Sequence, residues 1–430
     1  MGLLRLAGRV LAVGILGWSV VLCGVFYFGY RTTESKRKYK VLARSPLSSL
    51  PRERVPGVTL IRPLKGLDPN LYANLESGFQ QDYSNLEIIF AVASDSDPSI
   101  EIAEKLISKY PDVPSRILVG ETLSGVNPKV NNLIKAFYGA HNDILWIVDS
   151  NVQLNSGVCA RSVDALQRPS RRGKRVGLVH HIPMAVHPSL DIGAQVERVF
   201  VNTVHFKMYT AINELAIDSC VMGKSNMYRR SDVERLEVPS KTSKSVQEPQ
   251  GSIEAFSRYL AEDNMIARAI WHDLGLDHAI TDDIVGTNLG DMSLRQYIDR
   301  RVRWIRVRKY MVWLATILEP LTESVTLIPL IIWSLKNLTG ARYLELLAFP
   351  LFAGWLGVDL AIINTYKYAS PHYISPIGNS LPQFIAFWCL RELLAFPIYL
   401  MGVFGSNVGW RSGKYKMIAQ GEAIPQGSSV

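Results

Sequence analysis

The segment Ile144–Asp149, which reads ILWIVD, decides the fold of the central part of this chain. It is a continuous apolar run that ends in a carboxylate, a pattern typical of a fully buried strand. Similar runs and helical patterns alternate around it. The predicted strands are Val58–Ile61, Leu86–Ala93, Arg116–Val119 and Val176–His180, and the predicted helices are Asn70–Phe79, Ser99–Tyr110, Pro128–Gly139 and Ser156–Gln167. This alternation predicts a mostly parallel α/β sheet with helices on both faces, with ligands bound beyond the carboxyl ends of the strands.

Composition restricts the class of protein. The chain has 430 residues, 47 Lys and Arg against 38 Asp and Glu, a net charge of +9, and 48% apolar residues. It is too apolar and too varied in sequence to be disordered or collagen-like. Its four cysteines lie far apart, which excludes a zinc site of the usual spacing and a disulfide framework.

The first apolar segment, Leu11–Tyr30, carries no charge. Twenty residues of helix span about 30 Å, the thickness of a bilayer core. We interpret it as an uncleaved membrane anchor; a cleaved signal peptide would have a shorter apolar core. Two basic residues precede the segment and six follow it within residues 31–44. The positive-inside rule therefore predicts an amino terminus outside and a central domain in the cytosol.

Three later apolar segments, Met311–Leu335, Tyr343–Ile363 and Leu381–Phe404, each contain ionisable residues. Such residues are costly at membrane depth, so some of these stretches are expected to be broken or to lie in the interface. The number of crossings stays open, as does the side of the basic tail Trp410–Lys416. The resulting division is an anchor at 1–31, a cytosolic catalytic domain at 32–309 with a polar insertion at 238–251, a membrane region at 310–405 and a basic tail at 406–430.

Acidic residues follow the predicted strands. Asp149 ends a buried strand, where a carboxylate suits Mg²⁺ or Mn²⁺ bridging a diphosphate, although capping of the next turn is the alternative. Asp95 and Asp97 follow another predicted strand, and on their own they are more typical of a helix start than of a binding site. Glu262 and Asp263 begin a helical pattern, Met265–Ile270; one of them is a candidate general base, and helix capping is again the alternative.

Basic and aromatic residues supply a second group of candidates. Lys129 lies in the first turn of a helix, where free amides and an ammonium group favour an anion. Arg300, Arg303 and Trp304 share one helix face, a pattern that can hold a diphosphate and stack a ring. His205 lies in an apolar amphipathic stretch, where a packed histidine is the ordinary alternative.

Taken in order, these segments resemble the ceramide glucosyltransferase family. The resemblance begins at Arg62–Asn70 and continues through Asn127–Leu133, Trp146–Ser150, Gly177–His180, Ala261–Asp263, Arg300–Trp304 and Trp410–Tyr415. It covers nearly the whole chain. It implies a GT-A-like catalytic domain, a signature of three aspartates and a (Q/R)xxRW motif.

The resemblance implies a role for each matching residue. Asp97, Lys129, Arg300, Arg303 and Trp304 would bind the donor. Asp149 would bind a divalent cation, Mg²⁺ or Mn²⁺, and Asp263 would be the base, with His205 at the active site. The implied reaction is the inverting transfer of glucose from UDP-glucose to ceramide at a Golgi or ER–Golgi membrane, with no nucleic acid involved. Asn151 leaves no strict Asp-x-Asp pair, which leaves the choice of metal open.

Two other functions compete with this interpretation. A processive polysaccharide synthase shares the three acids and the Arg-Trp motif, but it needs a polar path through several spans. The other alternative is a membrane-anchored protein that binds a sugar nucleotide or acts as a scaffold without catalysis. Such a protein would not need all three acids, so their presence argues against it.

Overall fold

The computed structural model describes residues 2–37, 42–236, 251–366, 380–410 and 413–426. The predicted insertion at 238–251 therefore lies outside the described residues, except for Gly251. The chain forms two compact units. The sheet unit comprises residues 41–188, 215–290 and 421–430, and the helical unit comprises 1–40, 189–214 and 291–420.

The secondary structure follows the sequence closely in the first half of the chain. The strands are β1 (Val58–Leu64), β2 (Leu86–Val92), β3 (Ser115–Val119), β4 (Ile144–Val148), β5 (Val152–Gln153), β6 (Val176–Pro188), β7 (Ser225–Arg229), β8 (Asp277–Gly290), β9 (Asn407–Trp410), β10 (Gly413–Met417) and β11 (Ala423–Pro425). The helices are α1 (Gly2–Arg37), α2 (Leu71–Phe79), α3 (Ser99–Lys109), α4 (Pro128–Gly139), α5 (Val158–Gln167), α6 (Ile192–Phe200), α7 (Phe206–Leu215), α8 (Arg230–Val233), α9 (Glu262–His272), α10 (Leu294–Met311), α11 (Trp313–Leu318), α12 (Ser324–Thr339), α13 (Ala348–Tyr366) and α14 (Leu381–Val403).

The sheet unit contains one eight-stranded sheet in the order β3-β2-β1-β4-β7-β6-β8-β5. Strands β3, β2, β1 and β4 are parallel, as are β6 and β8, while β7 and β5 run antiparallel to their neighbours. In the register between β4 and β7, Val148 pairs with Ser225. The predicted mostly parallel sheet is therefore confirmed, whereas β5, β7 and β8 were not predicted.

Alternate side chains of the central strands pack on opposite faces of this sheet. On one face, Leu60 and Trp146 belong to a buried cluster that includes residues of α2, α3 and α5. On the other face, Ile61 and Ile147 belong to a cluster that includes residues of α4, α8 and α9. Because both faces are covered, the strands read as continuous apolar runs.

In the helical unit, α1 packs against α12 and α13. Leu22 and Phe26 contact Leu327, and the rings of Phe26 and Trp355 meet edge to face at 5.3 Å. Three helices are long and apolar enough to cross a bilayer: Gly2–Glu34, Leu344–Thr365 and Leu381–Val403. The pair α11 and α12, bent by 71°, would make a fourth if it is one span. The apolar segment predicted at Met311–Leu335 is broken here, where Pro320 begins a turn.

A buried ion pair holds the helical unit together. Lys207 Nζ on α7 lies 2.9 Å from Asp359 Oδ1 on α13, and the Trp388 Nε1 of α14 donates to Asp359 Oδ2 at 2.9 Å. The Lys207 ammonium also lies 4.0 Å from the ring centroid of Phe26. One lysine therefore links α7 to two apolar helices.

Residues 189–214 and 291–309 pack with the apolar helices in the helical unit. From the sequence we predict them in the cytosolic domain instead. Helices α6 and α10 both pack against α14. The approach of α10 to α14 is close, because a methyl group at Gly402 would come within 2.6 Å of Ile305. The sequence could not indicate this, because both segments carry many polar residues.

Candidate active site

The carboxylate of Asp149 lies just past the end of β4, as the apolar run before it predicts. It contacts two ammonium groups: Lys129 Nζ is 2.8 Å from Oδ1 and Lys224 Nζ is 2.9 Å from Oδ2. Burial would raise the pKa of Asp149, but the two ammonium groups outweigh burial and lower it. Asp149 is therefore a fixed negative charge.

Lys129 connects Asp149 to the start of α9. Its Nζ lies 3.0 Å from Glu262 Oε1, and the Nδ2 of Asn127 donates to Glu262 Oε2 at 2.8 Å. The amides at the start of α4 are not free as predicted, because Lys129 N donates to Asn127 Oδ1 at 2.8 Å. Burial would lower the pKa of Lys129, but Asp149, Glu262 and Asp263 raise it. Lys129 therefore stays charged and draws the acids together.

Asp263 lies in the first turn of α9, beside Glu262. Burial and the charge of Glu262 raise the pKa of Asp263 to about 6, against the opposing effect of Lys129. Gly223 leaves room for this carboxylate, since a methyl group there would lie 2.7 Å from Asp263 Oδ2. A carboxylate that titrates near neutral pH suits a general base.

Asp97, between β2 and α3 in the sheet unit, has a positioning role. Its carboxylate accepts from Gly66 N at 2.9 Å and from Ser99 N at 2.9 Å. Burial would raise the pKa of Asp97, but the bonds from Ser99 and Gly66 lower it. Gly66 has φ 68°, so Asp97 fixes a left-handed turn after β1. A direct contact of Asp97 with the donor stays a prediction.

The predicted Arg-Trp motif forms part of an arginine–aromatic cluster in the helical unit, made of Phe200, His205, Arg300, Arg301 and Trp304. Arg300 Nε lies 2.9 Å from Oε1 of the buried Glu197. The Arg300 and Arg301 guanidinium carbons lie 5.1 and 5.0 Å from the Trp304 ring centroid. Burial lowers the pKa of Arg303 to about 10, so it stays charged at pH 7.

His205 ends a π-helical turn, Val201–His205, that joins α6 to α7. Its ring contacts those of Phe200 at 5.9 Å and Trp304 at 6.3 Å. Burial, assisted by Arg301, Arg308 and Arg300, lowers the pKa of His205 to about 3. His205 is therefore neutral at pH 7 and accepts a proton much less readily than Asp263.

The residues around Asp149 could hold a divalent cation only if a bound substrate supplied some of its ligands. Among the described residues, no three His, Cys, Asp or Glu side chains converge on a point that could hold a metal ion. Asp149 supplies the oxygen chemistry that Mg²⁺ and Mn²⁺ prefer, and both of its oxygens contact lysines. The remaining oxygens would have to come from a diphosphate and water.

Three residues of these sites were not singled out as functional by the sequence. Lys224 precedes β7, and only the antiparallel pairing of β7 with β4 carries it to Asp149. Arg62, fully buried in β1, donates from Nη1 to the backbone oxygens of Asp149 at 2.8 Å and Val152 at 2.9 Å. The carboxylate of Glu197, on α6, forms an ion pair with Arg300 on α10. Of these three residues, only Arg62 could have been noticed in the sequence, because it is an arginine inside an apolar strand.

Comparison with known proteins identifies the family. The model of glycosyl transferase family 21 matches residues 16–424. A ceramide glucosyltransferase of Komagataella phaffii is 36% identical over 95% of this chain and 90% of its own length. One from Candida albicans is 32% identical over 84% of this chain and 86% of its own.

Among solved structures, a mannosyltransferase from Pyrobaculum calidifontis, in complex with GDP-Man and Mn²⁺, aligns over 92% of this chain and 99% of its own. Its TM-score is 0.46 and its identity 16%, too low to assign roles to single residues. The match of the family model, by contrast, extends from the apolar amino-terminal helix to the last strand, β11. This chain is therefore a glycosyltransferase that belongs to glycosyl transferase family 21.

Proposed function

We propose that this enzyme transfers glucose from UDP-glucose to the primary hydroxyl of ceramide, with inversion, giving β-glucosylceramide and UDP. The main support is the cluster in which Lys129 and Lys224 both contact Asp149. The same cluster contains Asp263, an acid whose pKa is raised. The names of the relatives support the choice of glucose and ceramide. The cluster offers positive charge for a diphosphate and a base for an acceptor.

In the proposed mechanism, Asp263 takes the proton of the ceramide hydroxyl as its oxygen attacks the anomeric carbon. The bond from that carbon to the diphosphate breaks in the same displacement, which inverts the centre. Lys129 and Lys224 lie where they can stabilise charge on the departing UDP. Asp149 would hold a divalent cation, Mg²⁺ or Mn²⁺, which when bound neutralises further diphosphate charge.

The Arg-Trp motif of the helical unit carries a separate part of the proposal. Arg300 and Arg303 remain the proposed clamp for the diphosphate, with Trp304 as a wall. The partial burial of Trp304 and the positive charge of the arginines support this role, since guanidinium groups bind phosphates bidentately.

The apolar helices indicate a membrane protein, and the contacts of α1 support a specific arrangement. Gly8, near the outer end of α1, lies beside Asn337 at the end of α12, whereas Phe26, near its inner end, contacts Leu327 and Trp355. We assign α1, α12 and α13 as the three spans. This gives an outside amino terminus and a cytosolic sheet unit.

Helix α14 would then lie at the cytosolic interface. It packs mainly on α10 and α6 and also contacts α12. Its end is tied to α10: Lys309 Nζ donates to Val403 O at 2.8 Å and Arg306 Nη2 to Met401 O at 3.1 Å. With α14 at this interface, the basic tail would lie in the cytosol, as positive charge favours. Protease added to sealed microsomes should digest both the sheet unit and a carboxyl-terminal epitope tag; protection of either one contradicts this topology. A Golgi location rests on the family resemblance alone.

The test of the function is a purified-enzyme assay with UDP-glucose and ceramide, and with UDP-glucose alone. Glucosylceramide should form only in the first reaction. Asp149→Asn should abolish turnover in a folded protein, whereas Asp112→Asn, at an exposed site on the same unit, should be as active as the wild type. Polymer from UDP-glucose alone would instead identify a polysaccharide synthase, and unchanged turnover in excess chelator would remove the cation from the mechanism.

A further inference from the structure

The ammonium group of Lys224 bridges two side-chain oxygens just past the end of β4. Its Nζ lies 2.9 Å from Asp149 Oδ2 and donates to Asn151 Oδ1 at 3.0 Å. The lysine side chain is 12% exposed, so this contact is largely shielded from water. Carboxylate and amide oxygens are also ligands that divalent cations such as Mg²⁺ and Mn²⁺ take in proteins. Lys224 therefore contacts the same two oxygens that could bind such a cation.

The amide of Asn151 is held in the orientation that this contact needs. Its Nδ2 donates to the backbone oxygen of Asn288 at 3.1 Å, and its Oδ1 faces the ammonium group. Asn288 is itself fixed, because its Nδ2 donates to Asn74 Oδ1 at 2.6 Å and its Oδ1 accepts from Asn70 Nδ2 at 2.9 Å. Asn151 therefore presents an oxygen on the side of Asp149, although it is not a carboxylate.

The two lysines that contact Asp149 differ in how firmly they are held. Lys129 contacts two carboxylates, Asp149 at 2.8 Å and Glu262 at 3.0 Å. Among the described residues, Lys224 contacts one carboxylate and one neutral amide. A divalent cation beside both ammonium groups would be repelled by both, and this repulsion is strong in a partly buried site. Lys224 is thus the ammonium group that can leave Asp149 at the lower cost.

A nucleoside diphosphate would give Lys224 another partner. Lysine ammonium groups bind phosphate as compact point charges. Movement of the ammonium group from Asp149 to a phosphate oxygen keeps one ion pair and frees two protein oxygens. The departure of Lys224 is therefore favoured when a diphosphate and a cation bind together, and disfavoured when the cation binds alone.

We infer that Lys224 and the divalent cation compete for Asp149 Oδ2 and Asn151 Oδ1, and that the donor diphosphate relieves this competition by binding the displaced ammonium group. The inference rests on the proposed function, which places a cation and a UDP-sugar at Asp149. Lys224 thus couples the two ligands, because it weakens the binding of the cation alone and strengthens the binding of the diphosphate. The enzyme takes up the cation mainly together with the nucleotide.

The test measures binding and needs no turnover. Mn²⁺ binding to the purified full-length enzyme is followed by electron paramagnetic resonance, with and without UDP. Lys224→Met keeps the length of the side chain and removes its charge. It should tighten Mn²⁺ binding in the absence of UDP about tenfold or more, the usual effect of removing a charged hydrogen bond, and weaken UDP binding in the absence of Mn²⁺. Lys105→Met, at an exposed position on α3 of the same unit, should change neither.

Two results would overturn the inference. One is Mn²⁺ binding by Lys224→Met that is unchanged or weaker in the absence of UDP, and the other is wild-type enzyme that binds Mn²⁺ equally well with and without UDP. Failure of the proposed function gives a different result. An enzyme that shows the expected coupling of Mn²⁺ and UDP but forms no glucosylceramide would refute the function and leave the role of Lys224 standing.

A second measurement uses only the wild type, so it does not depend on the folding of a variant. Acetic anhydride labels lysines according to their exposure and pairing, and mass spectrometry reports the labelling of each one. Saturating Mn²⁺ alone should raise the labelling of Lys224 severalfold, because the ammonium group is released from Asp149, and added UDP should lower it again. Labelling of Lys105 should stay constant. Unchanged labelling of Lys224 in enzyme that has bound Mn²⁺ contradicts the competition.

Discussion

The carboxylate–lysine cluster of the sheet unit and the arginine–aromatic cluster of the helical unit differ in how they shift the pKa of their candidate catalytic residues, Asp263 and His205. Around Asp149 three acids meet two lysines, and burial, assisted by the charge of Glu262, raises the pKa of Asp263 to about 6. Around Trp304 the arginines outnumber Glu197, and their charge helps lower the pKa of His205 to about 3. Burial disfavours the charged form of both groups, which raises the pKa of an acid and lowers that of a histidine, and the neighbouring charges, negative beside Asp263 and positive beside His205, add to each shift.

The largest effect on turnover is expected when Asp263 is replaced. Asp263→Asn keeps the size of the side chain and removes the base, so turnover should fall by about 10²–10⁴ while UDP-glucose binding is retained. Single-turnover assays and donor binding measure the two effects. Asp273→Asn, exposed at the other end of α9, serves as the control. Loss of donor binding with chemistry intact at saturating donor would make Asp263 a donor-site residue.

The pH dependence of the wild type is a second test of the same acid. Glu262, Asp149 and Lys129 are the charged groups that act on Asp263, and their net effect with burial is a pKa of about 6. The base form is lost as pH falls through this value, so kcat should be level above about pH 7 and decrease about tenfold by pH 5. A profile that is flat to pH 5, or one still rising at pH 8, is incompatible with Asp263 as the base.

A smaller effect is expected in the arginine–aromatic cluster. Trp304→Leu removes the ring face shared by Arg300 and Arg301, and cation–π contacts contribute about 0.5–2 kcal/mol each. We expect kcat/KM to fall about fivefold, with Trp304→Phe intermediate because a ring face remains. Thermal unfolding separates a local loss from a general one. Equal activity of the Leu and Phe variants would show that the ring face has no role.

The smallest effect is expected at His205. The histidine is already neutral at pH 7, so His205→Gln removes no charge and should change kcat less than threefold at pH 7. The matched change His205→Leu reports on packing alone. A loss above a hundredfold in the Gln variant, with normal thermal stability, would return His205 to the catalytic role that the family resemblance implies.

The sequence predicts the parallel half of the sheet because buried parallel strands are continuous apolar runs between amphipathic helices. It therefore predicts Asp149 at a strand end and Lys129 at a helix start. It does not predict β7, whose SNMYR sequence mixes polar and apolar residues, and so it misses Lys224, which only long-range antiparallel pairing brings to Asp149. The side chain of Arg301 is oriented differently from those of Arg300 and Arg303. This depends on how α10 packs against α14, and the spacing of residues along a helix does not predict that packing.

The ion pair between Lys207 and Asp359 limits how far this enzyme can be divided into modules. A chain shortened to end near residue 310 keeps the lysine on α7 and loses its carboxylate on α13. An ammonium left buried without its partner costs about 3–5 kcal/mol, a large part of the stability of an ordinary domain. Expression of a detached, water-soluble catalytic fragment should therefore require a second change, such as Lys207→Met, and the carboxyl-terminal helices are as much a folding requirement as a membrane attachment.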